Sequence, residues 1–329
     1  MDSPVRLRLA GRLSLRFVLE LFGTGWHGRH VTDRLMRLAT AQANQSHIMR
    51  DPELQRRYAT FAADVPEELR RPISLNALSL SLKTPFETVR RRAAVLQESG
   101  HLRIVPGGMI VPYSYTSGSH AQALACGLWT ALRQLYWRLR DIGMFNDLPQ
   151  RRLPYDPKDP PVRLAIRHAV DYVLRSMETM FLLTRDPVLT LVFLHLCAGN
   201  SDHLSDAEAG GDFEGPEGEV SEALRRPISA LAMSLRIGAA YETTRRYLTK
   251  LETMGLCRRE PLGYLVPVQV LTTKEGLWCR KVNLASLERL FAALDEHGII
   301  RQWNEERDAA AAAEPLEADG FFHSQGERS

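Results

Sequence analysis

The chain has few of the residues around which enzymes and secreted domains are commonly built. Its four cysteines, Cys126, Cys197, Cys257 and Cys279, are scattered, with no CxxC pair and no Cys/His ligand spacing. That argues against a zinc or disulfide framework and for small buried or incidental thiols in a reducing compartment. HGRH at 27–30 has a metal-compatible spacing but no third ligand, so its histidines read as surface or core residues. No nucleophile, metal or phosphate-loop constellation is present. The expectation is a non-enzyme with no catalytic residue and no cofactor. Long hydrophobic runs are also missing: Val188 to Cys197 (VLTLVFLHLC) is about half the length of a membrane-crossing helix and reads as a core helix. The N-terminus lacks the apolar core of a signal peptide, so the expected location is cytoplasmic, with no membrane partner. A strong charge bias is absent as well, the formal net charge being +3 over 329 residues. Charge is nevertheless unevenly placed. Residues 206–219 hold Asp206, Glu208, Asp212, Glu214, Glu217 and Glu219 without Lys or Arg, and the tail after Arg301 is acidic on balance. The remainder is more basic, including Arg6, Arg8, Arg12 and Arg16 in an N-terminal arm expected to fray rather than enter a minor groove.

What the chain does have is an internal repeat. Residues 69–112 (LRRPISLNALSLSLKTPFETVRRRAAVLQESGHLRIVPGGMIVP) align without a gap to 224–267 (LRRPISALAMSLRIGAAYETTRRYLTKLETMGLCRREPLGYLVP), and about 20 of the 44 positions are identical. Weaker similarity extends outward: Leu132, Leu135, Leu139 and Gly143 match Leu287, Leu290, Leu294 and Gly298, and AQANQSHI (41–48) resembles CAGNSDHL (197–204). The latter pairs Asn44 with Asn200 and His47 with His203, read as structural hydrogen-bonding positions. These limits predict a first unit over 1–145 (core 69–112), a proline-rich linker over 146–161 and a second unit over 162–300 (core 224–267). A disordered acidic tail is predicted over 301–329.

Each repeated block predicts a short helix, a tight turn, a longer helix and a β-hairpin. Ser74 caps a helix carrying Leu75, Leu78 and Leu82. Thr84 with Glu87 spells a capping box, Pro85 falls at the first helical position, and Val89, Ala93 and Leu96 face inward to Gly100. Two short apolar runs around Pro106-Gly107-Gly108 then signal the hairpin. The second copy has Gly238 where the first has Lys83, and lacks the Thr-Pro cap. The expected fold is mainly α with small hairpin wings: two tandem winged helix-turn-helix domains flanked by helices. The helical stripe with Trp129, Tyr136 and Trp137 reads as packing or a dimer contact.

FETVRR (86–91) and YETTRR (241–246) resemble the recognition-helix signature of Crp/Fnr-type bacterial regulators, in which a Glu-Thr-Val-x-Arg run enters the major groove. The likeness covers only the block of about 45 residues in each half. No Gly-punctuated strands of a cyclic-nucleotide barrel precede it, so that family's effector properties are not implied. The resemblance makes Glu87, Arg91, Glu242 and Arg246 base readers, with Thr88 and Thr243 at phosphate. The residue chemistry agrees, because Arg reaches guanine bidentately and Glu accepts from cytosine. Arg90 and Arg245, about 100° round the helix, face phosphates. Arg103, Arg258 and Arg259 enter the wings, Ser74 and Ser229 sit at phosphate-anchoring N-caps, and Thr84 and Tyr241, at the start of the reading helices, are expected to contact DNA with them. Arg70-Arg71 and Arg225-Arg226 divide evenly between DNA contact and internal pairing.

The expected function is a sequence-specific double-stranded DNA-binding transcriptional regulator, a repressor rather than an activator, associated with the nucleoid and reading an imperfect repeat. A homodimer and an unidentified small-molecule effector are admitted as further partners. The alternatives are a replication initiator with tandem winged-helix domains, or a winged-helix protein–protein adaptor.

Overall fold

The computed structural model describes residues 4–23, 31–152, 155–211 and 219–313. Among them the chain is mainly helical, with two small antiparallel hairpins. The first series comprises α1 (Pro4–Gly23), α2 (Val31–Gln45), α3 (Pro52–Arg57), α4 (Leu75–Leu82), α5 (Phe86–Glu98), β1 (Arg103–Val105), β2 (Gly108–Ile110), α6 (Tyr113–Ser117) and α7 (Ser119–Asp141). The second comprises α8 (Val162–Thr184), α9 (Pro187–Gly199), α10 (Asp206–Ala209), α11 (Ala230–Ile237), α12 (Tyr241–Thr253), β3 (Arg258–Glu260), β4 (Gly263–Leu265), α13 (Val268–Thr272) and α14 (Lys274–Glu296). A last helix, α15 (Ile299–Ala313), follows. From α4 to α7 each element begins 155 residues before its partner, as 75 and 230, 86 and 241, or 119 and 274 show.

Among the described residues three main apolar cores result, beside two small clusters. Met36 of α2 meets Leu78, Val89, Leu96, Leu102 and Met109 in the first block. In the second, Leu189, Phe193 and Leu196 of α9 meet Met233, Ile237, Leu248, Leu251 and Val266. Val188 to Cys197 is thus a core helix. No single helix among the described residues is long and apolar enough to cross a membrane. The largest core belongs to both halves at once: Leu13 and Phe17 of α1, Leu132 and Tyr136 of α7, Leu164 and Val173 of α8, and Leu287 and Phe291 of α14. Burying each such side chain contributes about 1.5–3 kcal/mol.

Two expectations about the chain's outer segments require correction. The basic arm is the core helix α1: Leu9, Leu13, Phe17 and Phe22 are buried, while Arg8 donates to Ala209 O (3.0 Å) and Arg12 to Ser201 O (2.9 Å). The tail does not begin at 301, because α15 runs to Ala313 and buries Trp303 completely, its ring 5.0 Å from that of Trp129. One indole closing the shared core outweighs the polar, alanine-rich sequence around it. Residues 314–329 lie outside the described residues. The segment 146–161, described except for 153–154, lies on the shared core through Leu148 and Tyr155, and Asn304 donates to Gln150 Oε1 (3.2 Å). Trp129 and Tyr136 are packing residues of that core.

Candidate nucleic-acid interface

Each block presents on its surface the second of two helices joined by a tight turn, and local chemistry explains the turn. Ser74 Oγ accepts from Ala77 N (3.1 Å) and Ser229 Oγ from Ala232 N (3.1 Å), so both N-caps form. The first helix then stops at a left-handed residue, Lys83 (φ 49°) or Gly238 (φ 65°). The glycine adopts this without strain and the lysine does not.

The expected Thr84–Glu87 capping box does not form. Pro85 stays extended (φ −52°, ψ 135°) as the N-cap, so α5 begins at Phe86 and Glu87 falls one position too early for the box. Thr84 is buried and donates to Leu82 O (3.1 Å), while its own carbonyl accepts from Ser79 Oγ (2.7 Å). It therefore holds the turn and faces no ligand.

On α5, Phe86, Glu87, Arg90 and Arg91 are exposed and Thr88 is half-buried; on α12, Tyr241, Glu242, Arg245 and Arg246 are exposed and Thr243 half-buried. Glu87 pairs with Arg90 (2.9 Å) and Glu242 with Arg245 (3.0 Å), each one turn apart. The hydrogen bond from Arg90 to Glu87 raises the arginine's pKa. Exposed pairs of this kind are weak and open readily to another anion. Arg91 has no partner among the described residues, whereas Arg246 donates to Thr243 Oγ1 (3.4 Å). Arg92, the third of the arginine run, is not part of this face: it makes a two-pronged pair with Asp33 of α2, clamping α5 to the block's core. Tyr247 takes the equivalent position in the second copy.

The hairpin packs beside the helices through a third segment. Ile73 pairs with Met109, and Ile228 with Tyr264. A Cβ on Gly108 would lie 2.2 Å from Ile73 O, and one on Gly263 2.3 Å from Ile228 O. Only glycine permits this approach, which is why a glycine recurs at this point of both copies. Asn44 fastens the arrangement to α2: its Nδ2 donates to Arg71 O (2.7 Å) and Met109 O (3.1 Å), and its Oδ1 accepts from Val111 N (2.9 Å). Asn200 repeats this on α9 with Arg226 O, Tyr264 O and Val266 N. His203 Nε2 meets Leu224 O (2.9 Å). The His47 ring is neutral over a wider pH range than usual, lowered by burial and by Arg71.

The wing arginines are held more tightly than the sequence suggested. Arg103 pairs with Glu67, and Arg258 with Glu222 (2.7 Å) and Glu260 (2.6 Å). Glu67 also accepts from Tyr113 N (3.1 Å), and Glu222 from Val268 N (2.9 Å), so one glutamate ties each wing to the following helix. This latch was missed. Its signal was available in the offset, since Glu67 and Glu222 lie just upstream of the aligned block. Arg259 is exposed on β3. Of the undecided arginines, Arg70 is internal, pairing with Asp64 (3.3 Å) and donating to Val65 O and Val111 O. Arg225 likewise pairs with Glu219 (3.2 Å) and donates to Val266 O (3.4 Å). Arg71 and Arg226 are exposed.

The HGRH residues, the acidic residues 212–218 and the rest of the tail lie outside the described residues. Among the described residues no group of three or more His, Cys, Asp or Glu is placed to hold a metal. Comparison with known proteins finds no matching family model, no matching curated protein and no matching solved structure.

Proposed function

We propose that the chain is a sequence-specific double-stranded DNA-binding transcriptional regulator made of two tandem winged helix-turn-helix units, a repressor that occupies an imperfect repeat. The observation that carries this reading is the recurrence, 155 residues apart, of an exposed Glu-Thr-x-Arg-Arg face on the second helix of each block (Glu87 to Arg91 and Glu242 to Arg246). Packing does not require that face to be conserved between the copies, since its residues touch little of the fold. An acidic hydrogen-bond acceptor one turn before an arginine suits base-edge reading. Arg90, Arg245, Arg259, Ser74 and Ser229 lie around it as backbone contacts, and Arg103 and Arg258 join them once DNA phosphate displaces Glu67 and Glu222.

The test is selection of bound sequences from a random duplex pool, followed by titration of the selected and a scrambled duplex at two salt concentrations. The reading requires tighter binding to the selected duplex and a steep loss with salt. Equal binding to both duplexes refutes it.

A protein–protein adaptor is the second reading, favoured by one observation. Leu80 and Leu235, equivalent residues on α4 and α11, are 70% and 77% exposed. An adaptor would bind neither duplex and would lose its partner on Leu80→Asp with Leu235→Asp.

A further inference from the structure

The repeat does not stop at the blocks. In α1 and α8, Arg8-Leu9-Ala10-Gly11-Arg12 matches Arg163-Leu164-Ala165-Ile166-Arg167, and Phe17-Val18-Leu19 matches Tyr172-Val173-Leu174. The offset is the same 155 residues that relates the blocks, and α7 to α14. Two of these equivalent pairs meet each other in the shared core. The ring centroids of Phe17 and Tyr172 lie 6.5 Å apart, and those of Tyr136 and Phe291 5.5 Å apart. Other equivalents are well separated, Leu78 and Met233 falling in different cores. A translation would displace every residue equally from its equivalent, so a rotation relates the copies, and its axis passes close to the two aromatic pairs.

Contacts away from the axis fix the angle of that rotation. Helix α1 packs on α14 and α7 on α8; α1 packs on α9 and α2 on α8. Each of these contacts between the two series is thus present in both senses. Single hydrogen bonds repeat the pattern. Arg12 donates to Ser201 O (2.9 Å), just past α9, and its equivalent Arg167 donates to Gln45 Oε1 (3.2 Å), at the end of α2. Gln45 and Ser201 directly follow the matched residues Asn44 and Asn200. Arg8 donates to Ala209 O (3.0 Å), between α9 and α11, and Arg163 to Phe61 O (2.8 Å), between α2 and α4. Such reciprocity belongs to a two-fold axis. Only when the operation applied twice restores the first copy does a contact from i to j require one from j to i. Each block is then mounted alike on its own helix, by Asn44 on α2 and by Asn200 on α9. The same axis therefore carries α5 onto α12.

We propose that a single chain, as an approximate two-fold pair of units, binds one operator whose half-sites form an inverted repeat and not a direct one. This rests on the DNA reading given above and adds the orientation of the half-sites and the stoichiometry. A duplex has two-fold axes of its own, perpendicular to its length. A two-fold protein engages it with the axes aligned, so equivalent side chains read equivalent bases on opposite strands. Arg91 and Arg246 then address bases placed symmetrically about the operator's centre, as do Glu87 and Glu242. Differences between the copies, such as Phe86 against Tyr241, make the inversion imperfect without changing its sense.

The experiment uses the full chain and duplexes built from the half-sites recovered from the random pool. The two half-sites are placed inverted or direct at each centre-to-centre separation from about 6 to 21 base pairs, which covers two turns. Duplexes with one half-site and a scrambled duplex complete the set, read by fluorescence anisotropy for affinity and by sedimentation for stoichiometry. One inverted duplex should bind at least tenfold more tightly than every direct duplex and than the single half-site, with one chain per duplex. Arg91→Ala and Arg246→Ala should each relax base preference at one pair, and those two pairs should lie equally far from the centre with the bases read on opposite strands. Tightest binding to a direct duplex, two chains on the inverted duplex, or no gain from the second half-site overturns the two-fold proposal and leaves the DNA reading standing. Equal binding to the half-site and scrambled duplexes is instead the failure of the DNA reading, and this proposal falls with it.

Discussion

Replacing Asn200 by alanine removes the fastening between α9 and the second hairpin without touching the exposed face. Asn200 is fully buried, and its carboxamide makes three hydrogen bonds to main-chain groups from two separate segments: Arg226 O (2.9 Å), Tyr264 O (3.0 Å) and Val266 N (2.9 Å). The three losses are not equal. Tyr264 O still accepts from Ile228 N (3.0 Å), so its share is small. The Val266 amide is buried and is left without that acceptor, which costs toward the upper end of about 1–3 kcal/mol. Adding about 1 kcal/mol for Arg226 O and a small remainder for Tyr264 O gives a destabilisation of about 4 kcal/mol. Urea unfolding measures the total. Hydrogen exchange at the Val266 amide localises it, since protection there should fall while the equivalent Val111 amide stays protected. Asn44→Ala should show the mirror pattern. A loss under about 1 kcal/mol with Val266 still protected would refute the claim that one carboxamide holds the wing.

The remaining predictions concern neighbouring features. Arg91→Ala should leave the unfolding midpoint unchanged and cost about 1–3 kcal/mol of DNA affinity at one base pair, measured by titration against single-base variants of a selected duplex. Arg92→Ala should do the reverse, lowering stability by about 2–4 kcal/mol because it strands the buried Asp33 carboxylate. Gly263→Ala should cost about 3 kcal/mol or displace the hairpin, since its Cβ would meet Ile228 backbone at 2.3 Å; calorimetric melting checks it. Lys83→Gly should raise stability by about 0.5 kcal/mol, relief of the left-handed strain exceeding the added chain entropy. His195 is lowered to about 4 by burial first and by Arg236 and Arg34 next. Its folded pKa lies below the unfolded one, so stability is full above about pH 6.5 and falls by up to about 1.4 kcal/mol per pH unit toward pH 4. His195→Gln should flatten that slope in urea midpoints taken at pH 7 and pH 5.

Features set by neighbours a few residues apart are legible in the sequence itself. The Ser74 and Ser229 caps, the turn at Lys83 and Gly238, and the glycine-bearing hairpins each depend on one or two side chains whose conformational preferences are strong. Repetition made even distant structure readable, for Asn44 and Asn200 stood out only because both copies keep them. Thr84 shows the limit of local reading: the capping pattern was present, but Pro85 delayed the helix by one residue and the box lost its spacing. Arg92 shows another. Its partner Asp33 lies 59 residues upstream, and nothing in a three-arginine run reveals which member turns inward. The N-terminal arginines misled for the same reason, since their acceptors belong to the loop around α10, about 190 residues away.

The shared core changes what tandem duplication implies. Two copies on a flexible tether would bind DNA with an effective concentration set by linker length. Here α1 packs against α7 and α14, and α8 against α7 and α14, so the flanking helices of both halves bury one continuous apolar surface. Separating the halves would expose Phe17, Tyr136, Phe291 and Trp303, at a cost of several times the 1.5–3 kcal/mol typical of one such side chain. The distance between α5 and α12 is therefore a property of the fold. The two faces that it fixes are also unlike: among the described residues Arg91 has no partner where Arg246 leans on Thr243, and the exposed hairpin residue Ile104 corresponds to Arg259. Under the DNA reading, a rigid body with two unequal faces selects a repeat of set spacing and unequal halves.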